Sequence, residues 1–211
     1  MRFKTLVLAF AFLSVLASSA QTFELGPQLA LSSPTGRAGD SWDPGISAGV
    51  TTTFMESPIV GMGLDVGYGR WPGSPSANAA ADELLTNLSG GTPITGSKFT
   101  STAVQATGHA KLVAPVHGRL APWIQVGAGV YRVNVSLKLP GDQLRAAGWP
   151  GPLDDIHYEF GWMGGIGLDS EESTRMRFGL HATYHYMQTK DESGAHFSFF
   201  AIGAHALFGT R

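Results

Sequence analysis

The sequence has no cysteine among its 211 residues, which excludes a disulfide framework and thiol chemistry. Charged residues are scarce, at 14% against about 25% in typical soluble domains. The formal net charge of −2 gives no reason to expect nucleic acid as a partner. The chain contains neither a glycine-rich phosphate loop nor a paired-carboxylate motif, so the sequence predicts no enzyme and no cofactor.

The chain also lacks a hydrophobic run long enough to cross a membrane as a helix, which takes about 20 residues. The run Leu6–Leu16 is shorter, follows two basic residues and precedes the small residues at 18–20. This order predicts a secretory signal peptide over residues 1–20 and a mature domain over 21–211. If that domain enters a membrane, it must do so as a closed barrel, because lipid offers the backbone no hydrogen-bond partner.

What the sequence does contain is apolar residues that alternate with glycine or polar residues. This period of two is typical of β-strands, whose successive side chains point to opposite faces. The last hairpin, Arg175–Phe208, shows it most clearly, and eight such segments can be traced. They are Phe23–Leu31, Ile46–Phe54, Val60–Gly69, Phe99–Val113, Pro122–Leu137, Ile156–Leu168, Met176–Met187 and Phe200–Phe208.

The connections between these segments alternate in length. Those after the second, fourth and sixth strands are short, and the others are long or rich in glycine. Two of the long ones are Trp71–Ser97, with a short helix expected over Ala79–Leu88, and Lys138–Asp155. Outer-membrane barrels show this asymmetry, with short periplasmic turns and longer outside loops. A soluble periplasmic barrel is the alternative, but it would place apolar residues on its inner face, where this chain has glycine, histidine, glutamine and glutamate.

Two further features refine this prediction. The alternation changes phase near Arg132, which predicts a β-bulge or a strand that rises above the membrane. The aromatic residues sort into two expected interfacial girdles. The girdle residues are Phe23, Phe54, Trp123, Phe178 and Phe208 at the periplasmic ends, and Tyr68, Phe99, Tyr158, Tyr184 and Tyr186 at the outer ends.

The polar face is expected to line a narrow lumen. Its ionisable residues are Glu24, Asp65, His109, Lys111, His157, Glu159, Arg177, His181, His185 and His205. Because buried charges need partners, we expect Glu24, Arg177 and His205 to share one network near the periplasmic end. The network is either a structural plug or a proton-sensitive gate, and the narrow diameter of an eight-stranded barrel favours the plug. His181 and His185 are about 13 Å apart along a strand, too far for one metal ion.

The chain resembles the small outer-membrane β-barrel proteins of the OmpA-like and opacity-protein type. The signal peptide, the segments PWIQVGAGVY (122–131) and FGWMGGIGL (160–168), and the closing strand carry this resemblance. It implies an all-β fold: an eight-stranded antiparallel up-and-down transmembrane barrel in the outer membrane. Outer-membrane lipid, the barrel-assembly machinery and an extracellular loop partner are the expected contacts of what we expect to be a monomer.

Three functions remain open at this point. The first is a non-enzymatic structural or surface-interaction barrel whose exposed loops carry binding. The second is a narrow porin-like channel for small solutes. The third is an enzyme acting on lipid A, for which Ser198 would need His196 as base and a carboxylate such as Glu159 or Glu192.

Overall fold

The computed structural model describes residues 22–115, 119–138, 153–170, 176–188 and 196–210. The predicted signal peptide, most of the loop Lys138–Asp155, and Glu192 of the enzyme hypothesis fall outside these residues. The described chain forms one closed barrel of eight antiparallel strands, each paired with its neighbours in sequence. The strands are β1 Thr22–Thr35, β2 Gly45–Met55, β3 Val60–Pro72, β4 Lys98–Val113, β5 Leu120–Lys138, β6 Leu153–Ser170, β7 Met176–Gln188 and β8 His196–Thr210.

The barrel closes where β8 pairs with β1, and this seam is interrupted. Residues 23–25 pair with 208–210, and residues 28–35 pair with 198–205. The pairing skips Gly26 and Pro27. Proline has no amide hydrogen to donate, so its position in the ladder costs the seam a hydrogen bond.

Side chains alternate between the two faces of the wall as the sequence predicts. On β5, Ile124 and Val126 are exposed on the outside, whereas Trp123 and Tyr131 are buried inside. A wall with its apolar residues turned outward is unfavourable in water and favourable in lipid. None of the described helices is long and apolar enough to cross a membrane.

Of the two explanations offered for the change of phase near Arg132, the β-bulge is wrong. β5 pairs with β4 and β6 without a bulge along its length. Val133 and Leu137 lie on the same inner face as Tyr131, and all three are buried. The inner face itself changes from glycine and polar residues to apolar ones, while the strand continues beyond the outer apolar band. The alternative that a strand rises above this band fits the structure.

The two ends of the barrel differ, and we name them by their connections. At the turn end, β2 and β3 are joined by residues 56–59. At the loop end, β3 and β4 are joined by residues 73–97, which contain helix α2, Pro75–Leu88, and β1 and β2 are joined through α1, Arg37–Ser41. Helix α2 begins four residues before its predicted start, because Ser74 caps it by accepting the Ala77 amide at 3.2 Å and Pro75 fits the first turn.

Glycine on the inner face makes room for large side chains. A Cβ placed on Gly69 would lie 2.6 Å from the ring of Trp71. A Cβ placed on Gly179 would overlap both His205 and Asp169. The sequence prediction that the many inner glycines reflect a narrow interior is therefore confirmed at these positions.

Candidate functional site

The barrel interior is the candidate site, and its turn-end half holds a buried polar cluster. We define the polar cluster as Lys111, Trp123, Asp169, His181 and His205. Asp169 is its centre: Lys111 Nζ lies 2.9 Å from Oδ2, and Trp123 Nε1 donates to Oδ1 at 2.6 Å. His205 Nε2 lies 2.9 Å from the same Oδ1. The carboxylate, which is 1% exposed, is thus surrounded by donors from three other strands.

The cluster extends through two further contacts. His205 Nδ1 lies 3.1 Å from Nδ1 of His181, so one of the two rings donates to the other. The Lys111 ammonium also lies 4.6 Å from the centroid of the Trp123 ring, where a cation–π attraction adds to its ion pair. Each ionisable member of the cluster therefore has a partner, as the low dielectric of a barrel interior requires.

The sequence prediction missed Asp169, although the signal for it was present. Asp169 follows Gly165 and Gly167 on the inward phase of β6, one residue beyond the predicted end of this strand at Leu168. Trp123 was also assigned wrongly, to the lipid-facing girdle. It lies on the inward phase of β5, opposite Gly167, whose missing side chain leaves space for the indole.

Two other ion pairs lie in the interior. Arg177 lies 3.1 Å from Glu24, so this part of the expected network is confirmed. The expected third member, His205, belongs instead to the polar cluster, which corrects that prediction. His109 Nδ1 lies 2.8 Å from Asp65 Oδ2, at an angle outside the hydrogen-bonding range, and the contact is an ion pair when His109 is protonated.

The loop-end half of the interior is filled mainly by apolar and aromatic side chains. We define the aromatic layer as Trp71, Tyr131, Met187, Phe197 and Phe199, which pack together around the barrel axis. The rings of Trp71 and Phe199 are 4.9 Å apart. Trp71 Nε1 donates to Ser32 Oγ at 2.9 Å, so the buried indole is satisfied.

His185 joins the two halves. Its ring stacks on Phe199 with centroids 4.4 Å apart, and its Nδ1 lies 3.0 Å from the Tyr131 hydroxyl. Its Nε2 lies 3.2 Å from Oγ1 of Thr183. With three contacts on one imidazole, rotation of this ring would disturb the layer and its polar surroundings together.

Little space is left between these side chains. Two cavities lie inside the barrel, with volumes of about 40 and 20 Å³. Both are bordered by Gln28, Asp65, Gln125 and His181. Cavities of this size hold single water molecules bound by polar groups, not a continuous column of solvent.

Most of the predicted lumen residues do lie inside. Eight are buried: Glu24, Asp65, His109, Lys111, Glu159, His181, His185 and His205. Arg177 is partly buried, with its side chain 22% exposed. His157, also expected inside, lies on the exposed extension of β6 and contacts Asp155 at 2.7 Å. Glu159 Oε2 is buried without a hydrogen-bond partner among the described residues.

The loop end carries a second ordered feature outside the barrel. Asn78 of α2 accepts the Phe99 amide at 2.8 Å and donates to the Gly73 carbonyl at 3.0 Å. Phe99, expected in the outer girdle, is instead half-buried against Trp42 and the cluster of Ala81, Leu85, Ile94 and Leu137. These contacts fix α2 on the rim of the barrel.

Asp82 anchors the segment that leads from α2 to β4. Its carboxylate accepts the amides of Gly96 and Ser97 at 3.0 and 2.9 Å. Burial opposes the charge on this carboxylate, but the dipoles of the Ser97 hydroxyl and of the two amides outweigh it and lower the pKa of Asp82. The charged form is therefore the one that holds this segment in place.

Ser198, the nucleophile of the enzyme hypothesis, lies in β8 and is buried. Its Oγ lies 2.8 Å from Oγ1 of Thr35 across the β1–β8 seam. This contact gives the hydroxyl a structural partner, whereas the side chain of His196 lies outside the described residues.

Comparison with known proteins agrees with this architecture. A family model for the outer membrane protein beta-barrel domain matches residues 5–208. Neisserial surface protein A is similar in structure, with 12% identity, a TM-score of 0.54, and 88% of this chain and 96% of that chain covered. OprG, an outer membrane protein of Pseudomonas aeruginosa, has 11% identity and a TM-score of 0.51 over 92% of this chain and 97% of that one. At these identities the likeness shows the fold alone, and no curated protein matches the chain.

Proposed function

Because the chain belongs to the outer membrane protein β-barrel domain family, we propose that it is a closed, non-enzymatic barrel whose outer rim carries its function. The barrel anchors and orients the loop end at the cell surface, where α2 and the extended strands are available to a binding partner. This proposal selects the surface-interaction hypothesis over the channel and the enzyme.

The observation that carries the proposal is the filled interior. The polar cluster blocks the turn-end half, and the aromatic layer blocks the loop-end half. Two cavities between these side chains have volumes of about 40 and 20 Å³. A solute would have to displace both halves, and each is held by contacts among several strands.

The ordered rim supports the same proposal. Helix α2 is capped by Ser74, tied to β4 through Asn78, and packed on Leu137 of β5. A rim that is already ordered loses little conformational entropy when a partner binds. Its exposed Leu84 and Leu88 lie one turn apart on α2 and provide apolar contact area.

Planar-bilayer recording of the purified chain tests the filled interior. We expect no unitary conductance at neutral pH, under conditions in which an open porin conducts. Stepwise currents from the wild-type chain would contradict the proposal and favour the channel. Recording again at pH 4 tests the proton-gated form of the channel, because protonated histidines would repel one another inside the barrel.

The rim is tested by replacing residues 76–96 with a short Gly/Ser linker. Heat-modifiable gel mobility establishes that the barrel still folds. Nanodiscs containing the full chain are applied to an array of extracellular proteins and glycans, and we expect binding that the replacement abolishes. Failure of the full chain to bind above empty nanodiscs, or binding unchanged by the replacement, would count against the rim as the functional region.

The enzyme hypothesis has its own test. We expect Ser198→Ala to leave the lipid A of expressing cells unchanged by mass spectrometry, because the hydroxyl bonds Thr35. A lipid A species that is present with the wild-type chain and absent with Ser198→Ala would show enzymatic activity instead.

A further inference from the structure

The outward face of β3, β4 and β5 becomes polar above a defined level. From Val60 to Tyr68 the outward residues of β3 are apolar or aromatic, and a tilted strand of this length rises about 20 Å. The next outward residue of β3 is Arg70. Tyr68 pairs with Val104 of β4, which pairs with Arg132 of β5, so these residues form one row of the register and mark a common level along the strands. That level is where the apolar band ends and lipid headgroups begin.

At and above this level the three strands form a continuous surface of cations and small polar side chains. We name it the basic ridge and define it as Arg70, Lys98, Thr100, Thr102, Arg132, Asn134, Ser136 and Lys138. All eight lie on the outward phase, and the four cations are exposed. No acidic residue lies on the outward phase of β3–β5 above the same level in the described chain.

The cations of the basic ridge are placed to converge. Arg70 pairs with Thr102, and Thr102 with Asn134, two residues beyond Arg132 on β5. The Cα atoms of Arg70 and Arg132 are therefore about 12 Å apart, which two extended arginine side chains can span toward a common anion. The described ion pairs involve other groups, so no described carboxylate competes for these guanidinium groups.

The second observation is an unfavourable pairing of like charges. Lys98 of β4 and Lys138 of β5 lie directly opposite each other in the register. Like charges at such a pair destabilise a sheet, and their side chains start only about 5 Å apart. Two nearby acids with described side chains are engaged elsewhere: Asp82 is held by backbone amides, and Asp155 contacts His157. An anion bound between the two ammonium groups would remove the repulsion.

We propose that the basic ridge binds the phosphorylated headgroup of an outer-leaflet glycolipid. The arginine pair and the lysine pair supply two phosphate sites at different heights, and guanidinium groups match phosphate oxygens in bidentate geometry. Thr100, Thr102 and Ser136 lie between them and offer hydroxyl groups to sugar hydroxyls. Tyr68 and Tyr158, outward at the lower edge, lie where the headgroup meets the acyl chains.

The experiment uses the full mature chain in phosphatidylcholine nanodiscs that contain a small fraction of lipid A. Lipid retained by the protein is measured by native mass spectrometry for bisphosphorylated lipid A, for the same lipid without phosphates, and for phosphatidylglycerol. We expect at least about fivefold preference for bisphosphorylated lipid A over each of the others, since one cation near a lipid surface is worth roughly that factor. Inorganic phosphate at millimolar concentration is expected not to displace the lipid.

Substitutions locate the binding. We expect Arg132→Gln to lower lipid A retention about fivefold, and Lys98→Gln with Lys138→Gln about 25-fold. Arg132→Lys keeps the charge but loses the bidentate guanidinium, so we expect its lipid A retention to lie between those of the wild type and Arg132→Gln. Arg119→Gln is the matched control, because Arg119 is an exposed arginine at the turn end and its loss should have no effect. Gel mobility before and after heating establishes that each variant is folded.

Three results would overturn the proposal: equal retention of the three lipids, displacement by inorganic phosphate alone, or an equal loss in Arg119→Gln and Arg132→Gln. The basic ridge is independent of the filled interior. A conducting barrel that still prefers bisphosphorylated lipid A would refute the proposed function and leave the ridge intact.

Discussion

The two halves of the barrel interior solve the same packing problem with opposite chemistry. The polar cluster places a lysine, a tryptophan and a histidine around the Asp169 carboxylate. The aromatic layer packs Trp71 against Phe199 and has few hydrogen bonds, such as that of the Trp71 indole to Ser32. A polar interior is stable only when each group has its partner, so one substitution is costly. An apolar layer depends on volume, and its losses are graded. This difference predicts how much stability each half loses when one of its side chains is substituted.

The largest effect is expected at Asp169. Asp169→Ala leaves Lys111 buried without a counter-charge, and we expect the free energy of unfolding to fall by about 3–5 kcal/mol. Urea unfolding in detergent micelles, followed by tryptophan fluorescence, measures it. Asp155→Ala is the control, because this exposed partner of His157 should contribute less than about 1 kcal/mol.

A double substitution separates the unpaired charge from lost packing. Asp169→Leu together with Lys111→Met removes both charges, and we expect it to be more stable than Asp169→Ala alone. If the double variant is less stable than the single one, the cost at this site comes from shape and hydrogen bonds instead of charge.

The aromatic layer is tested next, with Trp71→Ala. The indole is 0% exposed, so its removal leaves a cavity and an unpaired Ser32 hydroxyl, and we expect a loss of about 3 kcal/mol. Trp162→Ala removes the same side chain from the lipid-facing wall, where it stacks on Tyr186, and should cost less than about 1.5 kcal/mol. Equal losses of stability in Trp71→Ala and Trp162→Ala would mean that burial inside the barrel adds no stability beyond the aromatic contact that both side chains make.

A smaller effect is expected from overfilling the polar half. Gly179→Ala places a methyl group against His205 and Asp169, and we expect a loss of about 1–3 kcal/mol. Gly164→Ala adds the same group to the outer wall, where no atom lies within 4 Å, and should change stability by less than about 0.5 kcal/mol. Thermal gel-shift midpoints of the two variants give the comparison.

The smallest effect is local and lies outside both halves. The folded pKa of Asp82 is lowered, so its contribution is present above the unfolded pKa near 4 and is lost as the pH falls through the folded value. We expect the Gly96 and Ser97 amides to lose protection from hydrogen exchange at acidic pH, relative to other amides. Asp82→Asn should exchange faster at neutral pH and show no such change, whereas unaltered protection in this variant would contradict the role of the carboxylate.

The sequence predicts the strands of this barrel and their outward faces better than the side-chain contacts in its interior. The outward positions of Val66 and Leu180 follow from the two-residue period of a strand, which depends on local geometry alone. Partners inside the barrel depend on register and on strand length. Asp169 was missed because one more inward residue lay beyond the expected end of β6, and His205 was assigned to Glu24 when Asp169 was nearer.

The same limit explains the aromatic layer. Val133 and Leu137 look like a change of phase when the inner face is assumed to be polar throughout, although the register of β5 continues unbroken. The start of α2 was set too late because its first turn is stabilised by a cap and a proline, not by apolar periodicity. Features set by caps and by inner composition therefore need three-dimensional information.

The interrupted seam between β1 and β8 has a consequence for how the barrel comes apart and together. It joins residues nearly a chain length apart, so forming it costs more loop-closure entropy than forming any other strand pair of the barrel. It also lacks pairing at Gly26 and Pro27. We therefore expect the β1–β8 seam to form last during assembly and to open first on heating, and a disulfide introduced across it should raise the temperature at which the barrel opens.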